Sequence, residues 1–218
     1  MNIFDIMGPI MVGPSSSHTA GAVRIGLITK TLVGGNVKKA DIGLYGSFAA
    51  TGKGHGTDRA IIAGLLGMQP DDMRIPMSFD VAEKEGLKFK FENVNIPNAH
   101  PNTALLHVEN EYGNICDVQI SSLGGGRILV NKLNGIEVNC SGEKPTIIVR
   151  NIDKPGYVAE VTSMLASKNI NIATMRLHRE KRGGEAVMVI EVDEKINEES
   201  IKWLSSIKGV LNVTYIKG

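Results

Sequence analysis

Thr146-Ile147-Ile148-Val149-Arg150, Asp153-Lys154-Pro155-Gly156 and Asn169-Ile170-Asn171-Ile172-Ala173 are the fixed points of the stretch that decides the fold. The first is a short β-branched run of the kind that fills a buried strand. In the second, Pro155 sets a turn and Gly156 lets a ligand approach the amides of the helix that follows, expected over 156–169. The third leads into a strand over 171–179, and Lys181-Arg182-Gly183-Gly184 has hairpin-turn composition. Strand 185–192, helix 197–207 and strand 210–216 complete the order. The series is βαββαβ, a ferredoxin-like split βαβ arrangement.

Upstream, Ser141-Gly142-Glu143-Lys144-Pro145 interrupts the pattern with small, charged and Pro residues, which places a domain break there and predicts domains over 1–140 and 145–218. The first of these reads as mixed α/β. Strands are expected at 40–45, 87–92, 104–109, 114–120, 128–130 and 135–138, with helices at 20–28, 60–67 and, ending at Gly86, 80–85. The whole chain is therefore α+β.

Polar loops punctuate this first part. Gly13-Pro14-Ser15-Ser16-Ser17-His18-Thr19 precedes an apolar helix, and its serines can accept from the first helical amides. Such a helix start also suits an anion such as a carboxylate. Two readings stay open at this point: a capped helix with a surface histidine, or an anion site. A second loop, 46–59, invites comparison with a phosphate-binding loop and misses it. Gly46 and Gly52 are one residue too far apart, and Gly54 stands where a magnesium-binding hydroxyl is required. What it presents is Lys53, His55 and Asp58 on a glycine-rich backbone. A third loop carries His100 and Asn102, and a fourth is Ser121-Ser122-Leu123-Gly124-Gly125-Gly126-Arg127. His107 falls inside a strand and reads as structural; His100 and His107 lack a third ligand at a telling spacing, so no metal site is expected.

The totals set bounds. With 218 residues, 42% apolar content and a formal charge of +1, the chain is an ordinary globular protein with no general attraction to nucleic acid or acidic membranes. The opening Met1-Asn2-Ile3-Phe4-Asp5-Ile6-Met7 has no basic and apolar leader pattern, and no run of eighteen or more apolar residues follows, so the expected location is the cytoplasm. Cys116 and Cys140, the two cysteines, are read as reduced thiols, too few to ligate an iron–sulfur cluster alone.

Two resemblances follow from these residues. The block from Pro145 onward resembles ACT domains, small amino-acid-sensing modules that pair through their sheets. Asn171 is similar to the serine-binding asparagine of serine-inhibited phosphoglycerate dehydrogenases, whereas Asp153 and Asn151 stand where asparagine and histidine are expected. Asn151, Asp153, Gly156 and Asn171 are thus the implied effector residues. The first block, with its Gly13–Thr19, Gly46–Asp58, His100-Pro101-Asn102 and Gly124-Gly125-Gly126 motifs in order, resembles the β chain of iron–sulfur-dependent L-serine dehydratases. That resemblance implies an allosteric-substrate-binding-like fold and deamination of L-serine to pyruvate and ammonia. In such enzymes a [4Fe–4S] cluster acts as Lewis acid on the serine hydroxyl while a base takes the α-proton. The cluster would be held mainly or wholly by a separate α chain. Ser17, His18 and Thr19 would contact substrate, with Lys53, His55 and Asp58 orienting it or His18, and Ser15, Ser16, His100 and Asn102 binding it. Self-association through ACT domains is expected. A different reading is a stand-alone amino-acid-binding regulator. A dehydrogenase fragment is disfavoured, because no G-x-G-x-x-G follows a strand.

Overall fold

The computed structural model describes residues 10–179 and 181–217, the Lys53 side chain aside. The opening segment Met1–Met7 lies outside the described residues. Two compact units, Met1–Gly135 and Ile136–Gly218, divide the chain.

The first helical segment begins as a single π-helical turn, Ser16–Gly21, and continues as α1 (Ala22–Val33). Then come β1 (Val37–Gly46), α2 (Ser47–His55), α3 (Thr57–Leu66), α4 (Ser78–Glu85) and β2 (Lys88–Asn93). β3 (Asn102–Asn110), β4 (Ile115–Gly124), β5 (Arg127–Leu133) and β6 (Ile136–Cys140) follow. Within the first unit the sheet has the order β2-β1-β3-β4-β5, and β6 opens the second unit. β1 runs parallel to β2 and antiparallel to β3, with Gly46 opposite Asn102, so the end of β1 and the start of β3 meet where α2 begins.

Alternation decides which face of the sheet is covered. Ala40, Ile42, Leu106, Val108, Ile120 and Val130 are buried, whereas on the other face Asp41 pairs with Lys90 and His107 hydrogen-bonds with Asp117. α1 and α3 cross in backbone contact. A Cβ on Gly64 would sit 2.0 Å from the Val23 carbonyl oxygen, and one on Gly26 2.3 Å from that of Ile61, so glycine at both positions permits the approach.

In the second unit β7 (Thr146–Ile152), α5 (Tyr157–Ser167), β8 (Ile172–Arg179), β9 (Glu185–Val192), α6 (Glu198–Ser206) and β10 (Val210–Ile216) follow the expected βαββαβ order. The antiparallel sheet reads β10-β7-β9-β8. Ile147, Val149, Val161, Leu165, Met188, Ile190 and Leu204 build its core. Asn197 caps α6, its side chain accepting from the Ser200 amide at 2.8 Å.

Three segments differ from their sequence reading. Residues 47–55, expected as a loop, are helical. The glycines at 52 and 54 each cost a helix about 1 kcal/mol relative to alanine. Burial of Phe48 works in the opposite direction. Second, β4 runs through Gly124, so Ser121 and Ser122 are strand residues and Gly125-Gly126 alone turn. Third, Asn102 and Thr103 belong to β3 rather than to the preceding loop.

Candidate functional site

His18 lies in the π turn, and that turn is shaped around it. Ser15 is the cap: its extended backbone precedes the turn, its carbonyl accepts from the Thr19 amide at 2.8 Å, and its hydroxyl accepts from the His18 amide at 3.1 Å. π turns within helices recur at functional positions because they re-aim one side chain out of the helical register. Here that side chain is an imidazole directed at α2. Its Nε2 is 3.1 Å from the Ser47 hydroxyl and 3.1 Å from the Thr51 hydroxyl, while Nδ1 is 3.4 Å from the Ser15 hydroxyl.

Two aromatic neighbours complete the surroundings. The buried Phe48 ring meets His18 edge-on at 5.3 Å, and the His55 ring lies 5.0 Å away. The His18 pKa is therefore held below the ordinary histidine value, chiefly by burial and then by the like charge that His55 would carry; a backbone contact at Ser47 opposes both. A half-buried imidazole with a lowered pKa stays neutral, and so basic, around neutral pH.

The turn is also anchored from behind. The Ser122 hydroxyl donates to the Ser17 carbonyl at 3.0 Å, an approach possible because Gly21 has no side chain: a Cβ there would fall 2.1 Å from the Ser122 hydroxyl. Arg24 donates to the Gly126 carbonyl at 3.1 Å, fixing the glycine turn against α1. At the start of α2 the Ser47 amide donates to the Pro101 carbonyl at 2.8 Å, and the Asn102 amide donates to His100 Nδ1 at 3.2 Å. The 100–102 segment is thereby fastened to α2.

Beside the turn lies a 570 Å³ cavity, whose lining includes Gly13, Thr19, His55, Asp58, Arg59 and Phe79. The Thr19 hydroxyl is buried with no hydrogen-bond partner, as are the Thr57 hydroxyl and the Asn102 side-chain oxygen. A buried polar atom without a partner costs about 1–3 kcal/mol, and of these three Thr19 lines the cavity, where a ligand would complete its bonding. Asp58 accepts from the Arg59 amide at 2.8 Å, and Arg59 reaches the Pro76 carbonyl at 2.7 Å.

The structure thus gathers Ser15, His18 and His55 closely, sets Thr19, His55 and Asp58 around the cavity, and places Ser16 and Ser17 in the same π turn. Lys53 is on α2, and its side chain lies outside the description. His100 and Asn102 connect to the site through Pro101 and Ser47. Ser47, Thr51 and Ser122 are additions that sequence reasoning passed over. A serine and a threonine four residues apart share a helix face, a signal hidden as long as 46–59 is taken for a loop.

In the second unit the four effector candidates do not converge. Asn151 is buried on β7, its amide donating to the Ile152 carbonyl at 2.8 Å and its side-chain oxygen left without a partner. Asp153 accepts from Arg179 at 3.0 Å and from the Gly183 amide at 3.1 Å, and these donors hold its carboxyl below the usual range. Gly156 caps α5. Asn171 donates to Asp193 at 2.7 Å at the start of β8, the opposite end of the sheet from Asp153.

An α+β chain with a histidine-centred candidate site in its first unit and a βαββαβ unit later in the sequence is the class these features define. Comparison with known proteins makes the class specific. The family model described as "Serine dehydratase beta chain" matches residues 2–85, and the ACT domain model matches residues 145–207. The chain is 42% identical over 215 residues to the probable L-serine dehydratase β chain of Bacillus subtilis (strain 168), covering 99% of this chain and 97% of that one. It is 40% identical over 215 residues to the L-serine dehydratase β chain of Peptoniphilus asaccharolyticus, covering 98% and 96%. A D-3-phosphoglycerate dehydrogenase of Methanocaldococcus jannaschii matches at 27% identity over 205 residues, 89% of this chain and 37% of its own length. The chain belongs to the family of L-serine dehydratase β chains and carries an ACT domain.

Proposed function

We propose that this chain completes the active site of an iron–sulfur-dependent L-serine dehydratase together with an α chain, and that His18 moves the substrate proton. The observation that carries this reading is the imidazole held between hydroxyls on both nitrogens, next to a cavity lined by the unpartnered Thr19 hydroxyl. L-Serine offers a carboxylate, an ammonium and a hydroxyl, the groups that such donors and acceptors recognise. His18 takes the α-proton, the electron pair left behind becomes the carbon–carbon double bond, and the β-hydroxyl departs as water with the proton that the protonated His18 returns. Thr19 supplies a bond that orients the bound molecule, and burial, with His55 second, keeps His18 in its neutral state.

The residues of this chain do not fit the cluster itself. Cys116 and Cys140 are buried thiols on β4 and β6, burial pushes the Cys140 thiol pKa up and so away from the ligating thiolate, and no group of three potential ligands converges among the described residues. The cluster belongs, in this reading, to the α chain. Among the described residues no helix is long and apolar enough to cross a membrane, and a cytoplasmic location is part of the same proposal.

The ACT unit is read as the sensor. Asp153 and Asn171 lie at opposite ends of one sheet, so an effector site using both takes two copies of the chain, which fits self-association through ACT domains. Anaerobic mixing of the purified chain with its α chain tests the proposal. Iron and pyruvate formation should track the mixture and not this chain alone; serine-binding without any α-dependent turnover would favour a stand-alone regulator.

A further inference from the structure

The hydroxyls on α2 do more than line the site, because one of them has no proton to give. Thr51 donates its only hydroxyl proton to the Ser47 carbonyl, 2.9 Å away, the backward bond that a threonine makes on a helix. Toward His18 Nε2, 3.1 Å distant, Thr51 can then only accept. An unprotonated Nε2 would set two lone pairs against each other, or force Thr51 to give up its carbonyl bond. With the proton on Nε2, both Thr51 and the Ser47 hydroxyl, also at 3.1 Å, accept from it without conflict. On the other side of the ring the Ser15 hydroxyl already accepts from the His18 amide, and its own proton is available to Nδ1 at 3.4 Å.

We propose that Thr51, with Ser47, fixes neutral His18 as the Nε2–H tautomer, which makes Nδ1, beside Ser15, the basic nitrogen. The tautomer of a histidine is set by the bond its other nitrogen makes, and a general base must present its bare nitrogen to the proton it removes. Thr51 is on this account a positioning residue acting through His18. The assignment deepens the proposed function and rests on it only for its catalytic consequence.

The test uses the full chain labelled with ¹⁵N in its histidine rings. A long-range ¹H–¹⁵N correlation spectrum at a pH where His18 is neutral, with His18→Gln identifying its signals among the five histidines, reports the tautomer directly. The expected result is an Nε2–H pattern in wild type and in Thr51→Ser, and a mixed or Nδ1–H pattern in Thr51→Val. An Nδ1–H pattern in wild type, or an unchanged Nε2–H pattern in Thr51→Val, overturns the proposal. In the complex with the α chain, Thr51→Val should lower kcat about tenfold with KM moved much less, and Thr51→Ser should restore it. If the spectra come out as expected while His18→Gln leaves turnover intact, the tautomer assignment stands and the catalytic reading of His18 falls.

Discussion

The two units differ in how their candidate binding residues are bonded. In the first unit the buried hydroxyls of Thr19 and Thr57 and the side-chain oxygen of Asn102 lack partners, and Thr19 lines the cavity beside the π turn. In the ACT unit, Asp153 is bound by Arg179 and Gly183 and Asn171 by Asp193, while the unpartnered buried atoms are Asn151 Oδ1, Arg150 Nε and His178 Nε2. A folded chain tolerates unsatisfied buried groups where another molecule satisfies them. Thr19 therefore offers an unpartnered hydroxyl to a cavity, whereas a ligand of Asp153 or Asn171 has to displace or join existing bonds.

Filling the backbone notch behind the π turn should disturb the first unit most. Gly21→Ala places a methyl group against Ser122, and we expect a loss of about 1–3 kcal/mol in stability together with a drop of tenfold or more in turnover by the complex. Chemical denaturation and a pyruvate assay on the same preparation check both parts. Thr19→Val separates stability from function: removing an unpartnered buried hydroxyl should leave the chain as stable or up to about 1 kcal/mol more stable, while serine turnover falls several-fold. A destabilised Thr19→Val would show that the hydroxyl is satisfied within the chain, and would break the comparison.

The pH dependence has a definite sign. Because folding lowers the His18 pKa, the unfolded chain binds more protons in the interval between the folded value and the ordinary histidine value of 6.5, so the contribution of His18 to stability rises with pH through that interval and is level above it. Thermal midpoints measured across this range should climb in wild type and climb less in His18→Gln. The smallest effect is expected from Asn171→Ala. Its side chain is exposed, and stability should change by no more than about 0.5 kcal/mol, while any amino-acid-dependent change in turnover is reduced. Calorimetry with L-serine beside the turnover assay distinguishes these outcomes.

The sequence made the second unit legible almost element by element, because each strand or helix of 146–216 is bounded by its own turn or cap: Pro155-Gly156, Gly183-Gly184, Asn197. The first unit was legible in its strands and in its Gly13–Thr19 motif. Its blind spot was 47–55, where Gly52 and Gly54 argue locally against a helix that Phe48 and the contact with β1 impose from outside. With that helix read as a loop, the shared face of Ser47 and Thr51 could not be seen, nor could the tight setting of His18. The unpartnered hydroxyls were equally out of reach, since burial and hydrogen bonding at Thr19 and Thr57 depend on what tertiary packing brings near.

Turnover of L-serine by the complex of this chain with its α chain, measured with wild type and with His18→Gln at equal iron content, tests the central claim most directly. Loss of about a hundredfold or more in kcat, with the complex and its iron intact, is the predicted result. Wild-type turnover by the His18→Gln complex would contradict the account.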